Sequence, residues 1–331
     1  MDLYCRVFSS SSNNRLTQDD YILGSPRFAE KYPDNVIPTN PFMSVEWIKI
    51  FESSKKYLAL HFTVWSGDKC LLLQPLFICR FKPFLPDALG SYCVALYAPW
   101  IVDDNDNFDK NILFPFFLNS LQNYLRHKIL YLEFRHFSID NIFHSCFTNC
   151  GFKSLNWCDV ICNLKNSAFE NDIIKTKRKQ IKRTLNSGAY VDFAPTKRVL
   201  DCYYNFQRRL YSKIFRPLPE LSVFNSLISS SIGSVAVIRN EDDVYGGCSY
   251  FIFDNILYFW YIASAKEVPN DVYPDAVLYY SLMKKAADEG CIKADFMGGG
   301  NADRDYGVRK FKLSLGGEMV AEYRYKKYLC L

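Results

Sequence analysis

The chain has 331 residues, 49% of them hydrophobic and 17% aromatic, with 27 Phe and 23 Tyr. This composition excludes a disordered tail and suggests two domains of about 150 residues each. The net charge of +5 is mild: it permits an anionic ligand or a membrane surface and requires neither. No apolar run reaches the ~20 residues that span a bilayer, and the opening MDLYCRVFSSSSNN has no apolar core of signal-peptide length. A cytoplasmic protein is expected, with its 12 scattered cysteines reduced and packed as small hydrophobes.

In chain order, the first 38 residues are polar and turn-rich and predict some strand pairing without a domain of their own. Pro41–Glu52 reads as a short helix. Leu58–Trp65 and Cys70–Arg80 read as a hairpin turned at Gly67–Asp68. Asp109–Arg126 carries Ile112, Leu113, Phe116, Phe117, Leu121 and Leu125 at helical spacing, and Ile129–Phe137 reads as a strand. Cys146, Cys150, Cys158 and Cys162 are spaced within zinc range. Trp157–Leu164 alternates like a strand, however, which puts Cys158 and Cys162 on one sheet face and predicts no metal. After a polar link, Lys175–Asn186 is a basic helix with Gly188 as its stop. It lacks the interleaved aromatics of a nucleic-acid platform and reads as a solvated face, with no DNA partner.

Ser234–Arg239 and Gly246–Phe253 form a second hairpin, and Ile256–Ser264 continues after an Asp254–Asn255 turn. Tyr273–Glu289 is a helix with Pro274 in its first turn and Gly290 at its stop. Ile292–Met297 is the next strand. A helix, an acidic-aromatic strand (Glu133–Phe134, then Asp295–Phe296) and a Phe-Lys pair (Phe152–Lys153, then Phe311–Lys312) recur in one order at nearly one spacing. That pattern predicts a duplicated domain.

With four histidines, all in the first half, and no G-x-S-x-G, H-E-x-x-H, P-loop or G-x-G-x-x-G, hydrolysis, nucleotide and hydride chemistry lose their support. The informative stretch is Lys293–Lys326. A strand runs into Gly298–Gly300, then a polar loop, then Tyr306, Arg309, Phe311 and Lys312, then Gly316–Gly317 and a final alternating strand. Three glycines let backbone approach a ligand closely, and amides beside cations suit an anionic or carbonyl-bearing substrate. The plainer alternative is a tight turn and a β-hairpin, with Lys312 a surface lysine on a strand.

The order DFMGGG, DYGVRKFK, SLGGEMV resembles the C-terminal signature of the FemABX-type transferases of the GNAT superfamily of N-acyltransferases. KTKRKQIKRTLNSGAYVDF resembles the helix and strand that open their second domain. NPFMSVEWIKIFE and ILYLEFRHF resemble a helix and a strand of their first. The similarity covers Asn40 to Tyr325. It implies an α/β (α+β) fold of two tandem GNAT-like domains, each a mixed twisted sheet flanked by helices, placed at residues 1–165 and 166–331 with the chemistry in the second.

The implied activity is transfer of an acyl or aminoacyl group to an amine of a cell-envelope precursor, either a peptidoglycan stem peptide or an amino sugar. The alternatives are a coenzyme A-dependent N-acyltransferase of a small amine or sugar nucleotide, and an inactive duplicated binding module. No tightly bound cofactor or metal is expected; the donor is aminoacyl-tRNA or acyl-CoA, and contact with a membrane surface is compatible. By the resemblance, backbone at Ile262, Ala263 and Ser264 meets the donor. The glycine-rich pyrophosphate loop of acetyl-CoA enzymes is absent from VPNDVYPDA. Phe311 and Lys312 are placed near the reaction centre, with Lys312 holding a donor phosphate or steadying the oxyanion. Asp295 is a candidate base or, alternatively, a turn cap. Arg208, Arg209 and Tyr211 are implied to bind the acceptor, and Gly298, Gly299, Gly300, Tyr306 and Arg309 to line the same cleft.

Overall fold

The computed structural model describes residues 3–9, 21–22, 40–52, 54–67, 69–82, 84–96, 100–101, 109–137, 141–165, 169–214 and 216–329. Two compact units share the chain: Met1–Asn156 with Glu322–Leu331, and Trp157–Ala321. The sequence pattern places a single boundary after residue 165; the contacts divide the chain earlier and return its last residues to the first unit.

In the first unit, β1 (Leu3–Ser9) pairs with the short β2 (Tyr21–Ile22) and, antiparallel, with β3 (Tyr57–Ser66). Otherwise the polar first 38 residues lie outside the described ones. The helix expected at Pro41–Glu52 is a 3₁₀ turn, Pro41–Met43, capped by Asn40, followed after Ser44 by α1 (Val45–Glu52). The expected hairpin forms: β3 pairs with β4 (Lys69–Arg80), with Gly67 at φ +55° in the turn. Both strands are buried almost end to end. Phe51 of α1 lies 4.6 Å from Phe77, while Phe62 lies 5.8 Å from Phe117 of the next long helix. A sheet covered on both faces has no reason to alternate, which is why these strands read as near-continuous apolar runs.

After α2 (Asp87–Gly90) come β5 (Ser91–Ala95), antiparallel to β4, and β6 (Trp100–Ile101), which pairs with β4. Then α3 (Lys110–Leu125) starts at Asp109, whose carboxylate accepts from the Asn111 amide at 2.9 Å. Its buried stripe is Leu113, Phe114, Phe117, Leu118, Leu121 and Leu125; Ile112, expected inside, faces out. The helix crosses over to β7 (Tyr131–Phe137), which runs parallel to β5 with Cys93 opposite Leu132. α4 (Asn141–Asn149) follows.

β8 (Lys153–Asn163) leads into the second unit. There α5 (Phe169–Asp172), the basic α6 (Lys175–Asn186), β9 (Tyr190–Asp192), α7 (Lys197–Lys213) and α8 (Leu221–Ile228) precede an antiparallel set. That set is β10 (Gly233–Arg239), β11 (Val244–Phe253) and β12 (Ile256–Ser264). Asp254 and Asn255 turn β11 into β12 with φ of +49° and +56°, the left-handed pair a two-residue hairpin needs. α9 (Pro274–Asp288) then crosses over to β13 (Lys293–Asp295), which lies parallel to β12. β14 (Gly300–Asn301), α10 (Gly307–Leu313) and β15 (Glu318–Tyr328) complete the chain.

The two units repeat one plan. Three antiparallel strands end in a strand (β5, β12) that a helix (α3, α9) joins to a parallel neighbour (β7, β13). The strand antiparallel to that neighbour is, in each unit, out of chain order. β7 is paired by β15, with Tyr325 opposite Phe134, and β13 by β8, with Cys162 opposite Ala294. Duplication with exchanged last strands explains why no linear cut of the chain matches its compact units.

Candidate functional site

In the second unit β12 and β13 pair only over three residues, ending at Tyr258 opposite Asp295. β12 runs on for six more residues, while the chain beyond β13 turns sharply away. Met297, Gly298 and Gly300 all have positive φ, at +56°, +106° and +88°. A left-handed methionine is uncommon and must be held. Asp295 Oδ1 accepts from the Met297 amide at 2.6 Å, and Asp159 Oδ1 of β8 accepts from the Gly298 amide at 2.5 Å. The Gly299 amide donates to Cys158 O at 2.6 Å.

The glycines serve packing. A Cβ on Gly299 would lie 2.9 Å from Cys158 Sγ, and one on Gly300 would lie 2.7 Å from the Tyr306 ring. The amides of Gly298 and Gly299 are therefore spent inside the protein rather than offered to a ligand, against the sequence expectation. Gly300→Ala is expected to cost ~1–2 kcal/mol from its left-handed backbone and more from the Tyr306 contact. A urea titration checks this, and Tyr306→Ala in the same chain should return the second part only.

Lys312 departs from the plainer alternative of a surface lysine on a strand. It sits on α10, not on a strand, and is 6% exposed. Its Nζ donates to Phe296 O and Gly298 O, each at 2.6 Å. Burial pulls its pKa below the usual lysine value, while the Asp159 and Asp295 carboxylates pull it back up. An ammonium held by two carbonyls and facing two buried acids is a compensated charge. Two of its three N–H groups are used, and the third has no acceptor among the described residues. Arg309 is likewise occupied by its own loop, donating to Asn301 O at 2.8 Å and to Arg304 O. Asp295 is 5% exposed and takes the turn-capping role of its two alternatives.

The free stretch of β12 is shaped from behind. Tyr250 pairs with Phe259 and Ser249 with Tyr261, so Trp260 bulges out of the ladder. Tyr203 of α7 pins this bulge: its hydroxyl donates to Tyr261 O at 2.7 Å and accepts from the Ser249 amide at 3.0 Å. Gly247 makes room, since a Cβ there would lie 2.6 Å from the Tyr203 ring. Beyond the bulge Ile262, Ala263 and Ser264 pair with Cys248, Gly247 and Gly246. The Ala265 amide donates back to Tyr245 O at 2.8 Å. Ladder alternation then turns the amides of Ser264 and Ile262 to the opposite edge, where β13 has left.

Facing that edge is the start of α9. Ser264 Oγ donates to Asp275 Oδ1. Burial pushes the Asp275 carboxyl above its usual range, against the pull of Ser264 and Lys177. Lys177 of α6 lies with its Nζ 4.4 Å over the Phe311 ring and donates to Gln180 Oε1 at 2.9 Å. Phe311 is 6.0 Å from Tyr279, and Tyr211 is 5.1 Å from Tyr261. Burial raises the Tyr211 hydroxyl to about 12, against the pull of Arg216 and with the neighbouring Tyr306 adding to the rise. The helix start offers a pyrophosphate little. Pro274 has no N–H, the Tyr273 amide donates to Thr184 Oγ1 at 2.9 Å, and Asp275 adds a carboxylate.

The structure thus gathers Ile262, Ser264, Tyr211, Tyr306, Phe311 and Lys312 around the splay and turns Arg209 toward another cavity. Arg208 is exposed and lies near Tyr204, whose hydroxyl burial pushes above its usual pKa against the guanidinium's pull. Arg209 lies 5.6 Å from the Phe206 ring and lines a cavity of about 530 Å³ with Arg198, Arg239 and Asp242. Cys158 and Cys162 are buried on one face of β8, as expected, donating to Gly300 O and Gly316 O. Among the described residues no group of three or more His, Cys, Asp or Glu is arranged to hold a metal. Sequence reading missed Asp159, Asp275, Lys177 and Tyr279. The acid after Pro274 was visible as a departure from the glycine-rich loop, not as a site residue.

No family model and no curated protein matches the sequence. Solved structures do. The FemX crystal structure aligns at a TM-score of 0.62 and 14% identity, covering 91% of this chain and 94% of that one. A tandem GNAT protein from the clavulanic acid biosynthesis pathway aligns at 0.60 and 8% identity, over 100% of this chain and 99% of that one. L-PGS from Bacillus licheniformis aligns at 0.53 and 11% identity, over 77% and 80%. At such identities the likeness carries the fold: this is a FemX-like architecture of two tandem GNAT-like domains.

Proposed function

We propose that this protein transfers an acyl or aminoacyl group from an activated ester onto an amine, and that the amine belongs to a cell-envelope precursor, a peptidoglycan stem peptide or an amino sugar. The observation that carries the reading is the open edge of β12. That edge presents the Ile262 and Ser264 amides side by side, about 7 Å apart at two residues of strand rise, and a single such amide beside a bulge that fixes it suits the oxyanion of a tetrahedral intermediate. Lys312 adds a fixed positive charge behind the Gly298 turn, and Phe311 closes the apolar side. The envelope acceptor, and a place of action in the cytoplasm against a membrane surface, rest on the FemABX resemblance and the FemX-like fold. No helix among the described residues is long and apolar enough to cross a membrane.

For the donor, aminoacyl-tRNA is favoured over acyl-CoA. The α9 start has no N–H at Pro274, spends the Tyr273 amide on Thr184, and carries Asp275 where that diphosphate would need cations or N–H groups. The test is a thermal-shift screen with acetyl-CoA, a long-chain acyl-CoA, charged tRNA and uncharged tRNA. A ligand at a hundred times its Kd stabilises the native state by ~2.7 kcal/mol. Charged tRNA is expected to raise the midpoint, followed by label transfer to a stem-peptide or amino-sugar amine. A shift with acyl-CoA alone supports a coenzyme A-dependent N-acyltransferase of a soluble amine. A shift with no transfer supports a binding module.

A further inference from the structure

The proposed transfer needs a group to take the amine proton, and Asp295, the sequence candidate, is committed to the Met297 turn. Resting on that functional reading, we propose that Asp275 is the proton acceptor for the attacking amine. Its carboxylate sits in the first turn of α9, opposite the splayed edge of β12, with part of its surface still accessible. Oδ1 accepts from Ser264 Oγ, which fixes the carboxylate's orientation on the residue whose amide faces the reaction. Oδ2 has no hydrogen-bond partner among the described residues.

The groups around Asp275 leave it unneutralised. Lys177 from α6 is the cation that acts on it, but its Nζ is given to Gln180 Oε1 and the Phe311 ring. From β11 the Cys248 thiol faces it, and from α9 itself the Tyr279 hydroxyl, both held protonated by burial. Tyr211 and Tyr306 reach Tyr279, and Lys312 reaches Cys248. A carboxyl whose pKa is raised by desolvation is a better base near neutral pH than an ordinary one.

The step balances. The lone pair of the neutral amine attacks the donor carbonyl carbon, the C–N bond forms, and the π pair moves onto the oxygen, which faces one amide of the open β12 edge. The amine proton passes to Asp275. The oxyanion collapses, the carbonyl–oxygen ester bond breaks, and the leaving oxygen takes the proton from Asp275. An amide, an alcohol and the carboxylate remain.

The test uses the full chain, charged tRNA as donor and hydroxylamine as amine, with the enzyme-free reaction subtracted and each rate divided by the free-base concentration at that pH, so that the amine's own protonation does not supply the acid limb. Asp275→Asn is expected to lower transfer about 10²–10⁴-fold at pH 7 while keeping the midpoint shift from charged tRNA. The wild-type rate is expected to fall in acid through a group titrating above the usual carboxylate range, and this limb should vanish in the variant.

A second measurement needs no turnover. Burial favours the protonated carboxyl, so between the unfolded and native pKa values the native state binds more protons and stability falls as pH rises. Asp275→Asn should therefore melt higher than wild type at pH 7–8, the difference closing as pH falls through the native value. Wild-type transfer with an unchanged pH profile in the variant overturns Asp275 and leaves the transferase reading intact. Wild-type protein that transfers from no donor overturns both. A variant with the wild-type dependence of melting on pH removes the proton affinity on which the inference stands.

Discussion

Lys312→Ala is expected to lose ~3–5 kcal/mol of stability, the range for leaving buried partners of a removed charge uncompensated, and to lower transfer about 10²–10³-fold in the protein that remains folded. The first number follows from what the ammonium holds. Its removal leaves Phe296 O and Gly298 O without their donor and leaves Asp159 and Asp295 facing each other's field without the cation between them. Those two carboxylates hold the Met297–Gly298 turn, so the turn loses its ties when they shift. A sequence reading of Lys312 as an exposed strand lysine predicts almost no loss of stability, and burial on α10 reverses that. Lys312→Met separates packing from charge: it keeps the stem and should still lose most of the stability. Lys312→Arg should not restore it, because a planar fork needs more room than two carbonyls 2.6 Å from one nitrogen allow. Urea midpoints and transfer rates corrected for folded fraction check both numbers. Wild-type stability in Lys312→Ala would mean that the side chain does not hold the turn.

How far the sequence led depended on whether local pattern or distant pairing set each residue. Gly67, the Asp254–Asn255 pair, Pro274 and Gly290 mark element ends with local chemistry, and the hairpins and α9 lie where they point. The recurrence of acidic-aromatic strands was legible for the same reason: β7 and β13 each carry their own pattern. Asp159 shows the limit. Strand alternation put Cys158 and Cys162 inward, correctly, and so put Asp159 outward. Yet Asp159 is 1% exposed because its carboxylate closes onto Gly298, far along the chain. Such a partner arrives only through the exchange of last strands, which no window of sequence contains. KFK in α10 failed similarly: with two lysines flanking a phenylalanine it reads as strand alternation, and only the turn it packs against makes Lys312 the inward residue. The expected binding set of Arg208, Arg209 and Tyr211 divides for a geometric reason, with Arg208 three residues from Tyr211 on its side of the helix and Arg209 not. On α7, residues one and two apart do not share a face, so Arg209 and Tyr211 could not both reach one site.

Tyr203→Phe is expected to cost ~2–4 kcal/mol and to impair transfer, although the residue touches no substrate. Tyr203 is fully buried, and one hydroxyl serves a whole cluster. It donates to Tyr261 O, accepts from the Ser249 amide, and accepts from Gln207 Nε2. Each buried group left unsatisfied costs ~1–3 kcal/mol. Removing the oxygen orphans the Ser249 amide and Gln207 Nε2, whereas Tyr261 O retains Ser249 Oγ at 3.3 Å. Phenylalanine keeps the ring against Gly247, so apolar packing changes little and the loss reports the polar cluster alone. The functional effect follows from position. The cluster fixes the bulge at Trp260, and the bulge sets which amides of β12 face the splay. Relaxing it by one residue would turn the Ile262 and Ser264 amides back toward β11 and present Ala263 instead. The transfer rate should therefore fall, with the affinity for charged tRNA, the proposed donor, nearly unchanged. A Ser249→Ala variant provides the control: it removes the Oγ that accepts from the Tyr261 amide at 3.2 Å but leaves Tyr203 bound to Tyr261 O, and should cost less on both measures. Equal stability in Tyr203→Phe and wild type would show that the bulge is held by the ladder alone.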